Sequence, residues 1–339
     1  MRLESISSIL VIKPGAIGDL LQITPTIREL KRIMPDARIT VMVGIEGTVP
    51  LFSHNPHVAE VLTYDRKGRH KGYAAFFRLL WQIVTTRYDM VINYQRSNIG
   101  TWLITLAALP RKVLVYHKTR TRHVHAVINH LETIRPLGID TDLVNLELEL
   151  CIPVEDERCA DNLIMQAGLT DKTLIAVNPG ASSLIKCWPP HKFTALIERL
   201  QRELDVGVVV VGGPGEQHLY DSIANGMEQP PLNLIAATSL LTLGAVLKRC
   251  VTLVSGDTGP LHLATAVGTR VVALFGAIDP DRTGPVGAGH VVVRHPEVPC
   301  VPCLAKKCIN PVYLECMEKI EVGEVFDCIV TMLQQHNGR

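Results

Sequence analysis

The chain contains few aromatic residues and no long apolar run. Only 5% of its 339 residues are Phe, Trp or Tyr, whereas 47% are hydrophobic, so most of its apolar residues are aliphatic. No run approaches the roughly 18 apolar residues that span a membrane, and the N-terminus lacks the apolar stretch and small-residue cleavage site of an export signal. We therefore expect a cytoplasmic globular protein, long enough for two domains that each bury a core.

The net charge is also small, at +1, but the charges are unevenly distributed. Between Arg66 and Leu131 the sequence has twelve Lys or Arg residues and a single acid, Asp89, while the rest of the chain is acidic. A solvated helix face usually mixes both signs, so this block of one sign predicts an anionic partner. Nucleic acid, anionic lipid and a phosphorylated acceptor are the classes that fit.

Apolar strand-like runs alternate with amphipathic, helix-length segments along the chain, which is typical of parallel α/β sheets. The pattern restarts after an acidic stretch at 140–160. We predict two doubly wound, Rossmann-like domains, 1–160 and 161–320, and a C-terminal helix over 321–339. Such folds bind ligands at the carboxyl ends of their strands, so we expect a cleft between the domains. Strands are predicted at 8–13, 39–43, 59–63, 89–93, 112–115, 173–178, 206–211, 232–236, 251–255 and 270–274, and helices at 18–34, 72–86, 98–107, 190–204, 215–226, 241–249 and 258–267.

The segment 256–262, Gly-Asp-Thr-Gly-Pro-Leu-His, joins an apolar run to a helical pattern. A strand that turns on glycine into a helix gathers unpaired backbone N–H groups at the positive end of the helix dipole, which favours an anion. Asp257, Thr258 and Gly259 lie in this turn, and His262 follows one helical turn later. The segment predicts a nucleotide diphosphate site, and the alternative is an ordinary turn capped by Asp or Thr.

Two further strand ends in the same half carry polar residues. The loop after the run 174–177 contains Ser182, Ser183 and Lys186, whose hydroxyls and ammonium suit phosphate oxygens. A glycine-rich turn after the next apolar run ends at Glu216, which could accept hydrogen bonds from ribose hydroxyls. A first-turn helix acid is the alternative interpretation of Glu216.

The first predicted strand ends in a similar turn that contains Gly15, Gly18 and Asp19. The two glycines permit a tight turn and a close approach of a ligand to the backbone. The third glycine and the following acid of a dinucleotide fingerprint are not in register. Asp19 is expected either to face a ligand at the end of the strand or to cap the helix.

Taken together, these motifs make the chain similar to the heptosyltransferases of glycosyltransferase family 9, which build the inner core of lipopolysaccharide. The similarity extends over nearly the whole chain. The matching stretches are 9–21 with Thr24-Pro25, 178–181 with Lys186-x-Trp-Pro, 256–264, 268–276, Asp279-Pro280 and 282–285.

The resemblance implies a GT-B fold with an ADP-heptose donor on the C-terminal domain and an acceptor on the N-terminal one. It implies transfer with inversion and no cofactor or metal for catalysis. By motif position Asp19 would be the general base, and Lys186 with the 257–259 turn would hold the diphosphate. Further donor contacts would be Ser182, Thr258 and His262.

The basic block then lies wholly in the acceptor domain, where it suits the carboxylates and phosphates of a lipopolysaccharide inner core. Candidate contacts are 66–71, Arg111, Lys112 and 118–122. No nucleic-acid motif accompanies the charge, so we expect no nucleic-acid partner. A peripheral contact with the cytoplasmic face of the inner membrane is compatible with such an acceptor. The segment 76–81 is predicted to fill the core, with lipid contact as the alternative.

Four of the nine cysteines, Cys300, Cys303, Cys308 and Cys316, crowd into one loop. A cytosolic chain rarely keeps disulfides, so the spacing predicts a small structural zinc or iron site. Structural thiols without a metal are the alternative. Other functions compatible with the motifs are transfer from another nucleotide sugar or to a protein acceptor, sugar-nucleotide epimerisation, and non-catalytic binding of such ligands.

Overall fold

A computed structural model describes residues 5–66, 68–117, 124–303, 305 and 307–337. The chain forms two units, Met1–Cys151 and Ile152–Arg339. Each unit is built on a parallel β-sheet with helices between successive strands. The predicted fold class, two doubly wound α/β domains, is confirmed.

The N-terminal unit has a five-stranded sheet with the order β3-β2-β1-β4-β5. Its central strand pairs in parallel with both neighbours, and Ile9 faces Ile39 on one side and Met90 on the other. The buried aliphatic residues of the central strands explain this position, since a strand covered on both faces needs an apolar run. The strands are β1 Ser8–Ile12, β2 Arg38–Val43, β3 Glu60–Thr63, β4 Met90–Asn93 and β5 Lys112–Val115.

One helix predicted in this unit is two helices in the structure. The predicted segment 18–34 breaks before Thr24-Pro25, because proline lacks the N–H that an interior helical position donates and instead favours a helix start. The Thr24 hydroxyl donates to the Leu21 carbonyl at 2.7 Å and closes the break. The helices are α1 Ile17–Leu21, α2 Thr24–Ile33, α3 Pro50–Ser53, α4 Tyr73–Thr86, α5 Ile99–Ala107 and α6 Ala126–Glu132, with 3₁₀ turns at Glu46–Thr48, Arg135–Leu137 and Thr141–Leu143.

The prediction for segment 76–81 was partly wrong. Leu79 is buried against the sheet, but Phe77 and Trp81 are exposed on the outer side of α4. Helical geometry explains the division, since residues three or four apart share a face and residues 77 and 79 do not.

The C-terminal unit has a six-stranded parallel sheet with the order β11-β10-β9-β6-β7-β8. Its edge strand β11 was not predicted, because it has only three residues and two of them, Val291 and Val292, are exposed. The strands are β6 Thr173–Asn178, β7 Val206–Gly212, β8 Leu232–Ile235, β9 Cys250–Ser255, β10 Arg270–Leu274 and β11 Val291–Val293.

The helices of this unit cover both faces of its sheet. The C-terminal helix inserts Phe326, Ile329 and Leu333 into the core of the unit, and the predicted boundary at residue 160 lies inside the helix that begins the unit. The helices are α7 Val154–Gln166, α8 Pro190–Glu203, α9 Gln217–Ala224, α10 Leu240–Arg249, α11 Gly259–Ala266, α12 Pro280–Thr283, α13 Glu315–Glu318 and α14 Val322–Asn337, with a 3₁₀ turn at Leu184–Lys186.

Parallel strands end at the same edge of a sheet, so this topology gathers the candidate residues. In the C-terminal unit the loops after β6, β7 and β9 carry the predicted donor-site residues, and in the N-terminal unit the loop after β1 leads to Asp19. In the part of the chain that the structure describes, no helix has the length and apolar character needed to cross a membrane.

Candidate functional site

The turn between β9 and α11 is the centre of the C-terminal site. Thr258 caps α11 in an extended conformation, with φ −141° and ψ 170°, and its hydroxyl accepts the Leu261 N–H at 3.4 Å. A Cβ on Gly256 would collide with the backbone oxygen of Lys186, so glycine is needed where this turn meets the neighbouring loop. The cap satisfies the Leu261 donor, and Pro260 has no N–H. The N–H groups of Thr258 and Gly259 are therefore the ones that could meet an anion at this helix end.

Asn178, the last residue of β6, holds this turn from the adjacent strand. Its side-chain amide donates to the hydroxyls of Thr258 at 3.0 Å and Ser255 at 3.1 Å, and it is only 3% exposed. The two hydroxyls also hydrogen-bond each other at 2.8 Å. A network in which each polar group has a partner fixes the direction of the Thr258 hydroxyl. The sequence analysis quoted Asn178 within a motif but did not select it as a site residue.

Lys186 and Asp257 form an ion pair beside this turn. The Lys186 Nζ lies 2.5 Å from the Asp257 Oδ2, and the Asp257 side chain is 11% exposed. Burial raises the pKa of Asp257, but the neighbouring His262 and the Lys186 ammonium together outweigh burial, so the pKa lies below its usual value. Asp257 is therefore a fixed carboxylate that orients Lys186, and it is poorly suited to take up a proton at neutral pH.

His262 acts on Asp257 from the helix side. Its Nε2 lies 3.9 Å from the Asp257 Oδ1, and its side chain is buried. The predicted direct donor contact of His262 remains untested. In the structure, the His262 side chain lies beside the Asp257 carboxylate and helps to lower its pKa.

Glu216 lies where β7 ends and α9 begins. Its Oε2 accepts the Gly213 N–H at 2.6 Å, and a Cβ on Gly212 would come within 2.7 Å of the same oxygen. Both interpretations of Glu216 therefore keep support, because one carboxylate oxygen stabilises the turn while the group stays half-buried at the edge of the sheet.

Ser182 and Ser183 share a loop with Lys186. Ser182 is exposed and Ser183 is half-buried. The Ser183 carbonyl accepts the Lys186 N–H at 3.0 Å, which forms the short 3₁₀ turn that carries the lysine. Both hydroxyls thus precede the ammonium on one short loop at the strand ends.

Asp19 lies in the first turn of α1 in the N-terminal unit. Its side chain is 53% exposed, and its Oδ1 lies 3.7 Å from the Lys13 Nζ. A Cβ on Gly15 would come within 2.9 Å of the Asp19 Cβ, so glycine allows the aspartate to fold back over the turn. Gly18 is buried within the same helical turn. The arrangement leaves the Asp19 carboxylate open to a ligand and close to one cation.

Lys13 connects Asp19 to a buried aromatic cluster that the sequence analysis missed. The Lys13 Nζ lies 3.3 Å from the His130 Nε2 and 6.0 Å from the centre of the Tyr94 ring. The rings of Tyr94 and Tyr116 each lie 5.2 Å from that of His130. Burial, and then the Lys13 charge, hold the pKa of His130 well below its usual value, so the imidazole is neutral. These residues are far apart in sequence, and no spacing could have signalled the cluster.

The four clustered cysteines, Cys300, Cys303, Cys308 and Cys316, line one cavity. Burial, reinforced by the other thiols, raises the pKa of Cys316 to about 11, and the Cys308 sulfur accepts the Leu314 N–H at 3.2 Å. Within 5–66, 68–117, 124–303, 305 and 307–337, no group of three or more His, Cys, Asp or Glu residues is placed to hold a metal ion. The zinc or iron site is therefore not shown by the described residues and stays a prediction of the cysteine spacing.

The sequence of this chain is similar to those of known proteins. Residues 76–314 match the family model of glycosyltransferase family 9 (heptosyltransferase). Lipopolysaccharide heptosyltransferase 3 of Escherichia coli is 30% identical over 281 residues, which cover 77% of this chain and 81% of that protein.

Solved structures share the fold over almost the whole chain. The glycosyl transferase family 9 protein from Veillonella parvula DSM 2008 superposes with a TM-score of 0.87 at 24% identity, covering 99% of both chains. The E. coli heptosyltransferase WaaC with ADP-2-deoxy-2-fluoro heptose gives a TM-score of 0.68 at 19% identity, covering 97% of this chain and 99% of that one.

Proposed function

Because the chain belongs to glycosyltransferase family 9, the heptosyltransferase family, we propose that it transfers a heptose from ADP-heptose to the inner core of lipopolysaccharide. Membership of the family was predicted from the motifs and makes the chain a glycosyltransferase. The ion pair between Lys186 and Asp257, beside the capped end of α11, is the observation that carries the choice of a nucleotide diphosphate donor.

The donor diphosphate would lie at the end of α11. Lys186 is held in place by Asp257 at 2.5 Å, so it needs little rearrangement to meet the phosphate oxygens as negative charge grows on the departing ADP. The N-terminal N–H groups of α11 and the Thr258 hydroxyl would add donors on the same side. These groups supply the positive potential that other transferases obtain from a divalent cation, so the proposed reaction needs no catalytic metal.

The choice of ADP-heptose as donor also draws on a relative. The fold is shared with WaaC, whose structure contains an ADP-heptose analogue. In this chain Glu216 would accept from the ribose hydroxyls through the oxygen that does not bind the Gly213 N–H. Ser182 and Ser183 would meet the phosphates from the Lys186 loop.

Asp19 would act as the general base. Its carboxylate would take the proton from the acceptor hydroxyl while that oxygen forms a bond to the anomeric carbon. The bond from that carbon to the diphosphate oxygen breaks on the opposite side, and ADP leaves with the electron pair, so the configuration inverts. Lys13, at 3.7 Å, would orient the Asp19 carboxylate before the acceptor arrives.

The acceptor would be held by the basic segment of the N-terminal unit. Arg66, Lys71 and Arg111 are exposed, and Asp89 is the only acid in the sequence between residues 66 and 111. Phosphates and carboxylates of an inner core match guanidinium groups well. The predicted contacts at 118–122, and Lys67, lie outside the described residues.

Release of ADP tests the proposal. We expect the protein to release ADP from ADP-heptose rapidly only when an inner-core acceptor is present, and calorimetry to show preference for ADP-heptose over UDP-, GDP- and dTDP-sugars. If ADP is released only in the presence of a protein acceptor, the acceptor is a protein and not lipopolysaccharide. Conversion of the donor to an isomer without acceptor would indicate an epimerase, a class to which the matched family and its heptosyltransferase relative do not belong.

A further inference from the structure

The outer side of α4 carries a stripe of exposed aromatic residues. Tyr73, Phe77 and Trp81 lie four residues apart and are 86%, 63% and 69% exposed. The opposite side of the helix packs Leu79 and Ile83 against the sheet. The chain has only six Phe and three Trp residues, so leaving one of each in solvent on a single helix needs an explanation beyond folding.

The neighbouring helix α5 extends this apolar surface. Ile99, Leu103 and Leu106 are exposed at helical spacing, while Ile104 is buried beneath them. The two helices contact each other over several residues. The α4–α5 face is defined as Tyr73, Phe77, Trp81, Ile99, Leu103 and Leu106.

The segment that carries the α4–α5 face has many more cations than acids, although Arg69 pairs with the exposed Glu46 at 3.7 Å and Arg111 pairs with Asp89 at 3.7 Å. The only acid between residues 66 and 117 is Asp89, and its carboxylate accepts hydrogen bonds from Ser7 and Ser8 at the edge of the sheet. Seven exposed arginines and lysines are described in this segment: Arg66, Arg69, Lys71, Arg78, Arg87, Arg96 and Arg111.

From this combination we infer that the α4–α5 face docks on an anionic phospholipid bilayer. Aromatic and aliphatic side chains on one side of a surface helix insert at the boundary between headgroups and acyl chains, while flanking cations bind anionic headgroups. A second copy of this chain would bring the same cations together, and their repulsion opposes that occupant. The bilayer satisfies both the apolar stripe and the charge around it.

The inference is independent of the catalytic proposal. None of the six residues of the α4–α5 face belongs to the proposed donor or base site, and only flanking cations such as Arg66, Lys71 and Arg111 are shared with the proposed acceptor contacts. It gives the enzyme access to an acceptor that is itself anchored in a membrane.

Vesicle flotation tests the docking without any substrate. Vesicles of phosphatidylethanolamine with phosphatidylglycerol, lacking lipopolysaccharide, are mixed with the full chain, and pure phosphatidylcholine vesicles serve as the neutral comparison. We expect binding to the anionic vesicles that weakens with added salt. The double variant Phe77→Ser/Trp81→Ser should bind roughly tenfold less or weaker, because it removes two interfacial anchors.

A matched double variant separates docking from a general loss of apolar surface. Val154 and Met165 are exposed on α7 of the C-terminal unit, at 57% and 58%, so Val154→Ser/Met165→Ser should leave flotation unchanged. Arg78→Gln/Arg87→Gln should weaken binding to anionic vesicles only. Trp81→Phe should keep binding but reduce the blue shift of tryptophan emission that vesicles induce, since the partly exposed Trp102 on α5 remains.

Three outcomes would overturn the inference. The first is equal flotation of wild type and Phe77→Ser/Trp81→Ser, and the second is flotation only when the vesicles contain lipopolysaccharide. The third is a wild-type protein that does not bind vesicles but sediments as a dimer, which Phe77→Ser/Trp81→Ser dissociates.

Turnover of a soluble, deacylated acceptor is measured in parallel. Loss of turnover with intact flotation would reject the catalytic proposal alone, whereas normal turnover without flotation would reject the docking alone.

Discussion

Each unit has a carboxylate where a strand passes through a glycine-containing turn into a helix, Asp257 just before the helix and Asp19 in its first turn, yet the surroundings of the two differ. Asp257 of the C-terminal unit is buried beside Lys186 at 2.5 Å and near His262. Asp19 of the N-terminal unit is half exposed, and its cation, Lys13, lies at 3.7 Å. The same local sequence pattern thus gives one carboxylate committed to an ion pair and one that is open to a ligand.

This difference separates binding from proton transfer. A carboxylate whose pKa is lowered by a close ammonium gives up its basicity but fixes the position of that ammonium. An exposed carboxylate with a more distant cation can receive a proton from a substrate hydroxyl. The comparison therefore supports the proposal that Asp257 organises the donor and Asp19 acts as the base, and the variants below test that division.

Asp19→Asn should have the largest effect on catalysis. Asparagine keeps the shape of the side chain but cannot accept the acceptor proton, so we expect kcat to fall by about 10²- to 10⁴-fold. Donor affinity measured by calorimetry should not change. Asp36→Asn, at an exposed acid of the same unit, is the control, and near-normal turnover of Asp19→Asn would remove Asp19 from the mechanism.

Lys186→Met should mainly weaken donor binding. It removes the cation for the diphosphate and leaves Asp257 buried without its ion-pair partner, so we expect kcat/KM to fall by about 10²-fold or more. Lys172→Met breaks a surface pair with Asp205 in the same unit and should leave kcat/KM unchanged. Equal values of kcat/KM for Lys186→Met and Lys172→Met would mean that Lys186 stabilises the fold but does not bind the donor.

The sequence predicted ten of the eleven strands, and which loops carry the candidate residues, for physical reasons. Buried parallel strands are continuous aliphatic runs, as at Val206–Gly212, and their order along the chain fixes which loops share an edge. The Lys186–Asp257 pair also follows, because both residues lie in loops after neighbouring strands, β6 and β9.

What could not be predicted depends on contacts distant in sequence or on the choice of helix face. The approach of Lys13 to His130 joins residues 117 positions apart, and composition gives no sign of it. The exposure of Trp81 depends on which side of α4 packs against the sheet, and an apolar helix leaves that choice open. The four cysteines gather around one cavity, but spacing alone does not fix the direction of a thiol, so the metal site stays a prediction.

His130→Gln should change how stability depends on pH. The pKa of His130 is lowered in the folded protein, so below about pH 6.5 the unfolded chain binds a proton that the folded one does not, and stability falls as the pH decreases. The wild type should lose at most about 1.4 kcal/mol per pH unit more than His130→Gln in this range. Urea unfolding between pH 7.5 and about 5 measures the difference, with His218→Gln, at an exposed histidine, as the control. Parallel pH profiles for wild type and His130→Gln would contradict a lowered pKa, because they would mean that His130 binds protons equally in the folded and the unfolded chain.

Thr258→Ala should have the smallest effect and sharpens the account of Asp257 and its turn. Thr258 and Ser239 both cap helices of the C-terminal unit, α11 and α10, through hydroxyls that accept backbone N–H groups. Removing either cap should cost about 1 kcal/mol of unfolding free energy. Only Thr258→Ala should also weaken donor binding, because the Thr258 hydroxyl and the Asn178 amide that holds it lie at the proposed diphosphate site. Calorimetry with ADP separates the capping role of Thr258 from a role in donor binding. Equal ADP affinities of Thr258→Ala and Ser239→Ala would mean that Thr258 only caps α11. Lys186 would then be the side chain that binds the diphosphate at this turn.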